Sequence, residues 1–315
     1  MPINISAPST VWNNVNYAGE LFTADETNTP FLSMIGGLTG GGLETHNFEF
    51  PTDSQYDFPT AAQPAITETA SLTAPTAISF LRNQSKNVTQ IFHEKVSISY
   101  ARLSNQSRMS GINTVEQENN VPNEKDFQIA RALEHIARDA EYTCLNGAYQ
   151  IATSAAVANK TRGLIELCTV NTVNASSATL TKALMDSLLL VMYTNGAIFK
   201  NCVIWCNGFQ KQKISDVYGY APDHRTIGGV NIQTIETDFG PLGIKLNRFM
   251  PAGTVLVAEM SVCTPVFQPV PDKGNFFYEE LSKSGAAEEG QIFGQFGLAH
   301  GPAYLHGSLT SLATS

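Results

Sequence analysis

The first 81 residues contain no lysine and no arginine. The same stretch holds eight carboxylates, Glu20, Asp25, Glu26, Glu44, Glu49, Asp53, Asp57 and Glu68, which account for eight of the chain's nine net negative charges. A nucleic-acid binder needs a basic stripe to release counterions from phosphates, and a balance of −9 argues against one. Charge is scarce throughout: 15% of the 315 residues are charged, against roughly 25% in ordinary soluble domains. Either partners cover much of the surface or its polarity comes from neutral Ser, Thr, Asn and Gln; extensive oligomerisation is the preferred reading. No apolar run approaches the roughly 18 residues of a membrane span, and Met1 to Ser9 lacks the basic and apolar regions of a secretory signal. Cysteine is sparse and odd in number (Cys144, Cys168, Cys202, Cys206 and Cys263). That pattern predicts reduced thiols and cytosolic synthesis, so the sequons at Asn83, Asn87, Asn105 and Asn174 carry no glycan.

Signatures of catalysis are missing as well. The glycine cluster Gly36, Gly37, Gly40, Gly41 and Gly42 lacks the Gly-Lys-Ser/Thr ending of a phosphate loop, and the first lysine is Lys86. Cys202 and Cys206 fall on one face of a strand with no second ligand pair, which reads as buried thiols rather than a metal site. His300 and His306 alone do not make a zinc site. Glu288-Glu289 and Asp25-Glu26 are adjacent pairs whose side chains diverge, unlike an acid and base converging on one bond. No Gly-x-Ser-x-Gly elbow occurs. The expectation is a protein that is not an enzyme and needs no cofactor or metal.

What is present is an arm, a long loop and a mixed body. Residues 1–42 read as an extended arm, too polar to build a core but too rich in aromatics for a plain disordered tail. It ends in the glycine cluster, a hinge. Strands at 44–50 and 88–100 flank some 30 loop-like residues, too long a connection for a compact domain unless the loop is functional. Arm and loop are expected to order by lying on something else, most simply another copy of the chain. A helix is predicted over 124–151, capped by Asn123 with Asp126 three residues on, its apolar face carrying Phe127, Ala130, Leu133, Ala137, Ala140, Cys144 and Ala148. A second helix is predicted over 181–193, a buried strand over 202–206 and a short helix over 209–217. Further strands are predicted at 230–235, 242–249, 254–260, 266–270 and 291–306. Helices and mostly antiparallel strands in separate blocks give an α+β class. On the long helix, Arg131, His135 and Arg138 form a basic face opposite the apolar stripe. The expectation is that this face, or the neighbouring Lys125 end, receives the arm or loop of an adjacent subunit, with Asp53, Asp57 and Glu68 as candidates; the plainer alternative is a solvated face with Glu134 paired to Arg138.

Several segments, in order, resemble a tailed double-stranded DNA bacteriophage major capsid protein of the Hong Kong 97-like fold, in the short podophage-type branch. They are Thr29-Pro30-Phe31-Leu32-Ser33-Met34-Ile35-Gly36, Asn87-Val88-Thr89-Gln90-Ile91-Phe92 with Val96-Ser97-Ile98-Ser99, and Thr161-Arg162-Gly163-Leu164-Ile165. Thr237 to Gly243, Asn247 to Thr254 and Gly290-Gln291-Ile292 complete the set. The resemblance implies an N-terminal arm (1–42), an E-loop hairpin (43–100), a P domain (101–178) with spine helix 124–151, an A domain (179–272) and a C-terminal return to the P domain (273–315). It implies hexamers and pentamers closing into an icosahedral shell around packaged double-stranded DNA, without sequence-specific binding. Because the matches begin by Thr29, it also implies a separate scaffolding protein, along with a portal protein and possible decoration proteins. The place implied is the virion, assembled in the host bacterial cytoplasm. An encapsulin-type nanocompartment enclosing a cargo enzyme is the alternative within the fold.

Overall fold

The computed structural model describes residues 29–38, 41–57, 59–104, 123–219, 233–283 and 285–314. The arm before Thr29, Gly40 of the hinge and the start of the strand expected from Val230 lie outside the described residues. In chain order the elements are α1 (Pro30–Met34), β1 (Leu43–Glu44), β2 (Glu49–Tyr56), α2 (Glu68–Ser71), β3 (Arg82–Val88), β4 (Gln90–Ser99), α3 (Tyr100–Ser104) and α4 (Glu124–Asn146). There follow α5 (Leu164–Leu167), β5 (Thr172–Asn174), α6 (Lys182–Thr194), β6 (Cys202–Cys206), α7 (Gly208–Tyr218), β7 (Thr234–Thr237) and β8 (Gly240–Leu246). The last are β9 (Val255–Glu259), β10 (Thr264–Phe267), β11 (Phe276–Glu280), β12 (Ala287–Ala299) and β13 (Gly307–Thr310).

The long helix starts where its cap predicts. The Asn123 side chain accepts the Lys125 N–H at 3.1 Å and donates to Asp126 at 2.6 Å, satisfying one of the orphan donors of the first turn. It ends at Asn146, five residues short of the expected Ile151, because the chain folds back on itself there. Gly147 turns out of helical geometry (ψ 132°) and its carbonyl accepts the Gly163 N–H at 2.8 Å. A Cβ at Gly147 would overlap the carbonyl oxygens of Thr143 and Thr161. The buried stripe also differs from expectation. It runs Ala132, Ile136, Ala140, Cys144, with Glu141 and Leu145 beside it, whereas Leu133 is exposed. Alanines on both sides of the helix left the phase of the apolar periodicity ambiguous.

Two sheets carry the body. In the five-stranded sheet, β12 is central: β4 pairs along 287–296 on one side, and β11 and β10 pair in succession along the other, with β1 beyond β10. The six-stranded sheet has the order β5-β13-β9-β6-β8-β7. Its fully buried strand β6 separates two cores. Cys202, Ile204 and Cys206 pack with Met185, Leu188 and Met192 of α6, while Val203 and Trp205 face α4, β4 and β12. Alternation of side chains along a strand makes this division. The strand expected at 291–306 stops at 299, and a separate strand follows after 306. β12 ends at Ala299, Gly301 turns the chain at φ +66°, and β13 enters the other sheet.

The strand expected over 88–100 is β4, Gln90 to Ser99, and a further strand, β3, precedes it. Thr89 separates the two, so that β3 pairs with β2 in a separate hairpin while β4 joins the five-stranded sheet. Asn87 fixes the corner, donating to Leu298 O at 2.8 Å and accepting the Arg162 N–H at 2.8 Å. Residues 45–48, expected as strand, are not; the hairpin strands instead extend into the proline-rich stretch expected as loop, with an irregularity at Pro51/Asp53. Strand β11 was not foreseen, because its aromatics Phe276, Phe277 and Tyr278 follow one another without alternation.

Candidate functional site

The described start of the expected arm docks on its own chain. Pro30 starts α1 with the φ a helix needs, and the helix docks on its own chain through Phe31, fully buried and edge-on to Trp205 at 5.3 Å between centroids. Its first N–H groups, which have no intrahelical partner, are met by a carboxylate. Phe31 N donates to Glu141 Oε1 at 2.9 Å and Leu32 N to Oε2 at 2.6 Å. Asn247 Nδ2, from the turn after β8, also donates to Glu141 Oε1. One buried side chain on α4 thereby ties together the arm and the six-stranded sheet. Burial pushes the Glu141 carboxyl above its ordinary range, against the lowering effect of these three donors. Sequence reasoning missed Glu141; the signal was a carboxylate at a position flanked by Ala140, Cys144 and Leu145.

Gly36 and Gly37, at φ +111° and +71°, end α1, and Gly37 N donates to Leu32 O at 2.8 Å. Gly41 is also left-handed, at φ +90°, whereas Gly42 is required by close approach to Pro265 and Phe267 beside β1.

Hairpin β2–β3 carries a long loop, residues 57–81, whose described residues contain one short helix, the single turn α2. Ile66 (72% exposed), Leu72 (85%), Ile78 (70%) and Leu81 (71%) all stand in solvent there, joined by Phe80. Asp57 and Glu68 lie in this loop; Asp53 sits lower, on β2, where Gln55 and Thr52 donate to its carboxylate at 2.5 and 3.2 Å. The basic residues share one stripe of α4, each with a contact in its own chain. Arg131 pairs with Glu134 at 2.6 Å, His135 lies 3.2 Å from Glu94, and the Arg138 guanidinium sits over the Phe249 ring at 5.8 Å. Glu134 thus pairs one turn back with Arg131.

The remaining candidates are structural. Glu288 and Glu289 diverge as expected but are ion-paired, with Lys125 at 3.4 Å and Lys95 at 2.9 Å. His300 and His306 are fully buried, and His306 Nε2 lies 2.6 Å from the His300 carbonyl oxygen. Burial lowers both, His306 to about 4. All five cysteines are free and buried, and burial pushes the Cys168 and Cys206 thiols up to about 12. Burial by itself raises Glu259, but donors from Ser261, Asn201 and Cys202 outweigh it and hold the carboxyl below its usual value. Among the described residues no group of three or more His, Cys, Asp and Glu can hold a metal ion, and no helix is long and apolar enough to cross a membrane.

This architecture is the α+β, Hong Kong 97-like fold of phage capsid proteins. It is similar to the cyanophage A-1(L) capsid subunit, with a TM-score of 0.68 at 11% identity over 99% of each chain. The capsid of a native GTA particle gives 0.59 at 10% identity, again over 99% of each chain. The SrpI encapsulin of Synechococcus elongatus PCC 7942 gives 0.56 at 10% identity, over 96% of this chain and 93% of that one. A family model described as SU10 major capsid protein matches residues 4–313. The chain belongs to that family and is a major capsid protein, a subunit of a phage shell. No curated protein matches it.

Proposed function

We propose that this subunit assembles as hexamers and pentamers into an icosahedral shell that encloses phage double-stranded DNA, in the podophage-type branch of the fold. The observation that carries the reading is the family match along nearly the whole chain, joined to a hairpin whose loop leaves Ile66, Leu72, Ile78 and Leu81 at least 70% exposed. Patches of this kind mark interaction sites. In this reading residues 1–42 are the arm, with Gly36, Gly37, Gly40, Gly41 and Gly42 as its hinge. Residues 43–100 hold the E-loop hairpin, α4 is the spine helix of the P domain, and the six-stranded sheet is the A domain. That sheet also takes in β5 and β13, from the segments assigned by sequence to the P domain and the C-terminal return, while β10 joins the five-stranded sheet.

The acidic loop and arm dock on a neighbouring subunit, with Asp53, Asp57 and Glu68 facing the stripe of Arg131, His135 and Arg138. A separate scaffolding protein guides assembly in the host bacterial cytoplasm, a portal protein occupies one vertex, and decoration proteins are possible additions. Net negative charge suits DNA held as bulk cargo without sequence-specific contacts. The encapsulin-type alternative rests on a likeness of fold alone, at 10% identity. Purified particles distinguish the two: nuclease-protected double-stranded DNA inside supports the phage shell, and a cargo enzyme inside overturns it.

A further inference from the structure

The chain contains three Asn-Gly pairs, Asn146-Gly147, Asn195-Gly196 and Asn207-Gly208. In such a pair the backbone nitrogen of the glycine can attack the asparagine amide, because glycine sets no side chain in the way and its dihedral angles are permissive. The fold holds two of the three shut. Asn146 ends α4 with its Nδ2 donating to Phe249 O at 2.8 Å, and Gly147 lies pressed between the Thr143 and Thr161 carbonyls, so neither residue can rotate. Asn207 is the N-cap of α7: its Oδ1 accepts the Gln210 N–H at 2.9 Å, and turning it would undo the cap of an 11-residue helix.

Asn195 and Gly196 are placed differently. Both are exposed, at the C-terminal end of α6, where helices fray. Gly196 stands at φ +94° with nothing within 4 Å of where a Cβ would be, and its N–H makes only the last turn's bond, to Tyr193 O at 3.0 Å. The peptide between the two residues can therefore turn without displacing a neighbour. We propose that Asn195 is a site of spontaneous deamidation. The Gly196 nitrogen, having lost its proton to hydroxide, bonds to Asn195 Cγ; the Cγ–Nδ2 bond breaks, and the amide nitrogen takes a proton from water and leaves as ammonia. Water then opens the succinimide. Cleavage between Cγ and the Gly196 nitrogen gives aspartate, and cleavage between the Asn195 backbone carbonyl and that nitrogen gives isoaspartate, with the chain running through Cβ and Cγ. Water is the only co-reactant, and nothing is oxidised or reduced.

The product acts on the fold through Asn171. Asn195 Nδ2 donates at 2.8 Å to Oδ1 of Asn171, which is fully buried. Asn171 cannot turn to a new partner, since its own Nδ2 donates to Tyr304 O at 2.7 Å and His306 O at 2.9 Å, where the chain passes into β13. A carboxylate at 195 sets acceptor against acceptor and leaves the buried Asn171 oxygen unsatisfied. It also adds negative charge at the negative end of the α6 macrodipole. Deamidation thus loosens the joint between α6 and β13.

This inference needs only the folded chain and stands apart from the shell reading. Peptide mapping by mass spectrometry follows all three sites in the folded full-length chain held in mildly alkaline buffer. Each rate is divided by the rate at the same site in denaturant, which removes the effect of local sequence. That ratio should be at least about tenfold higher at Asn195 than at Asn146 or Asn207, and enzymatic methylation should detect isoaspartate at 195. Equal ratios, a higher ratio at Asn146 or Asn207, or no conversion at Asn195 overturn the site. Its consequence is read from Asn195→Asp, which should melt about 2 °C or more below the unaltered chain; an unchanged melting temperature overturns the loosening. If Asn195→Asp does not fold, the melting temperature of the aged unaltered chain against a fresh sample decides.

Discussion

Leu32 and Glu141 stand 109 residues apart in sequence and 2.6 Å apart as N–H donor and carboxylate acceptor. The contact places a charge-bearing acceptor at the start of a helix in a fully buried position, and the same carboxylate serves Phe31 and Asn247. Glu141→Ala leaves two backbone donors and an amide without partners. Net of the relief of burying a carboxylate, it should lower unfolding stability by on the order of 3 kcal/mol. It should also release α1, read as faster proteolysis after residue 29; chemical denaturation and limited proteolysis check both.

His306 provides the pH response. Its folded value of about 4 lies below the ordinary 6.5, so the fold favours the neutral ring. The stability it contributes is complete above pH 6.5 and is lost as pH falls towards 4, to about 3 kcal/mol. His300, lowered by the same burial, acts in the same direction. Denaturation midpoints measured from pH 7 to pH 4 should fall steeply, and His306→Asn should flatten that limb.

Gly147 and Gly208 test the packing in opposite senses. Gly147→Ala forces a methyl onto the Thr143 and Thr161 carbonyls, both backbone, and should cost about 3 kcal/mol. Gly208, the first residue of α7, has open space around it. Gly208→Ala should be neutral or stabilise by about 0.5 to 1 kcal/mol. Thermal melts of the two variants should therefore move apart.

The basic stripe makes an assembly prediction. Arg131→Glu with Arg138→Glu should fold but assemble poorly at low salt, and converting Asp57 and Glu68 to lysine should restore yield. Each exposed pair contributes only about 0 to 1 kcal/mol, so the effect comes from repetition in every copy and should fade as salt rises. Normal yield of the double reversal in low salt would place the acidic loop elsewhere.

Local chemistry was legible in the sequence where one signal dominated. The cap Asn123, the apolar side Leu184, Leu188, Val191 and Met192, and the apolar run Cys202 to Cys206 set α4, α6 and β6 to within a residue at their starts. What escaped was fixed by distant contact. Gly147 ends α4 because Thr161 and Gly163 return against it, and β3 was missed because it pairs with β2 while the strand after Thr89 pairs with β12. Glu141 was hidden for the same reason: nothing local announces that a carboxylate will meet helix donors from a segment 109 residues away. The basic stripe could be read from spacing alone, but its Glu94 neighbour, on a different element, could not.

Cryo-electron microscopy of the full-length chain, expressed with its scaffolding partner, tests the central claim most directly. The account predicts closed icosahedral shells in which this fold repeats as hexamers and pentamers. A folded, monodisperse monomer at micromolar concentration, with no shells in the presence of that partner, would contradict it.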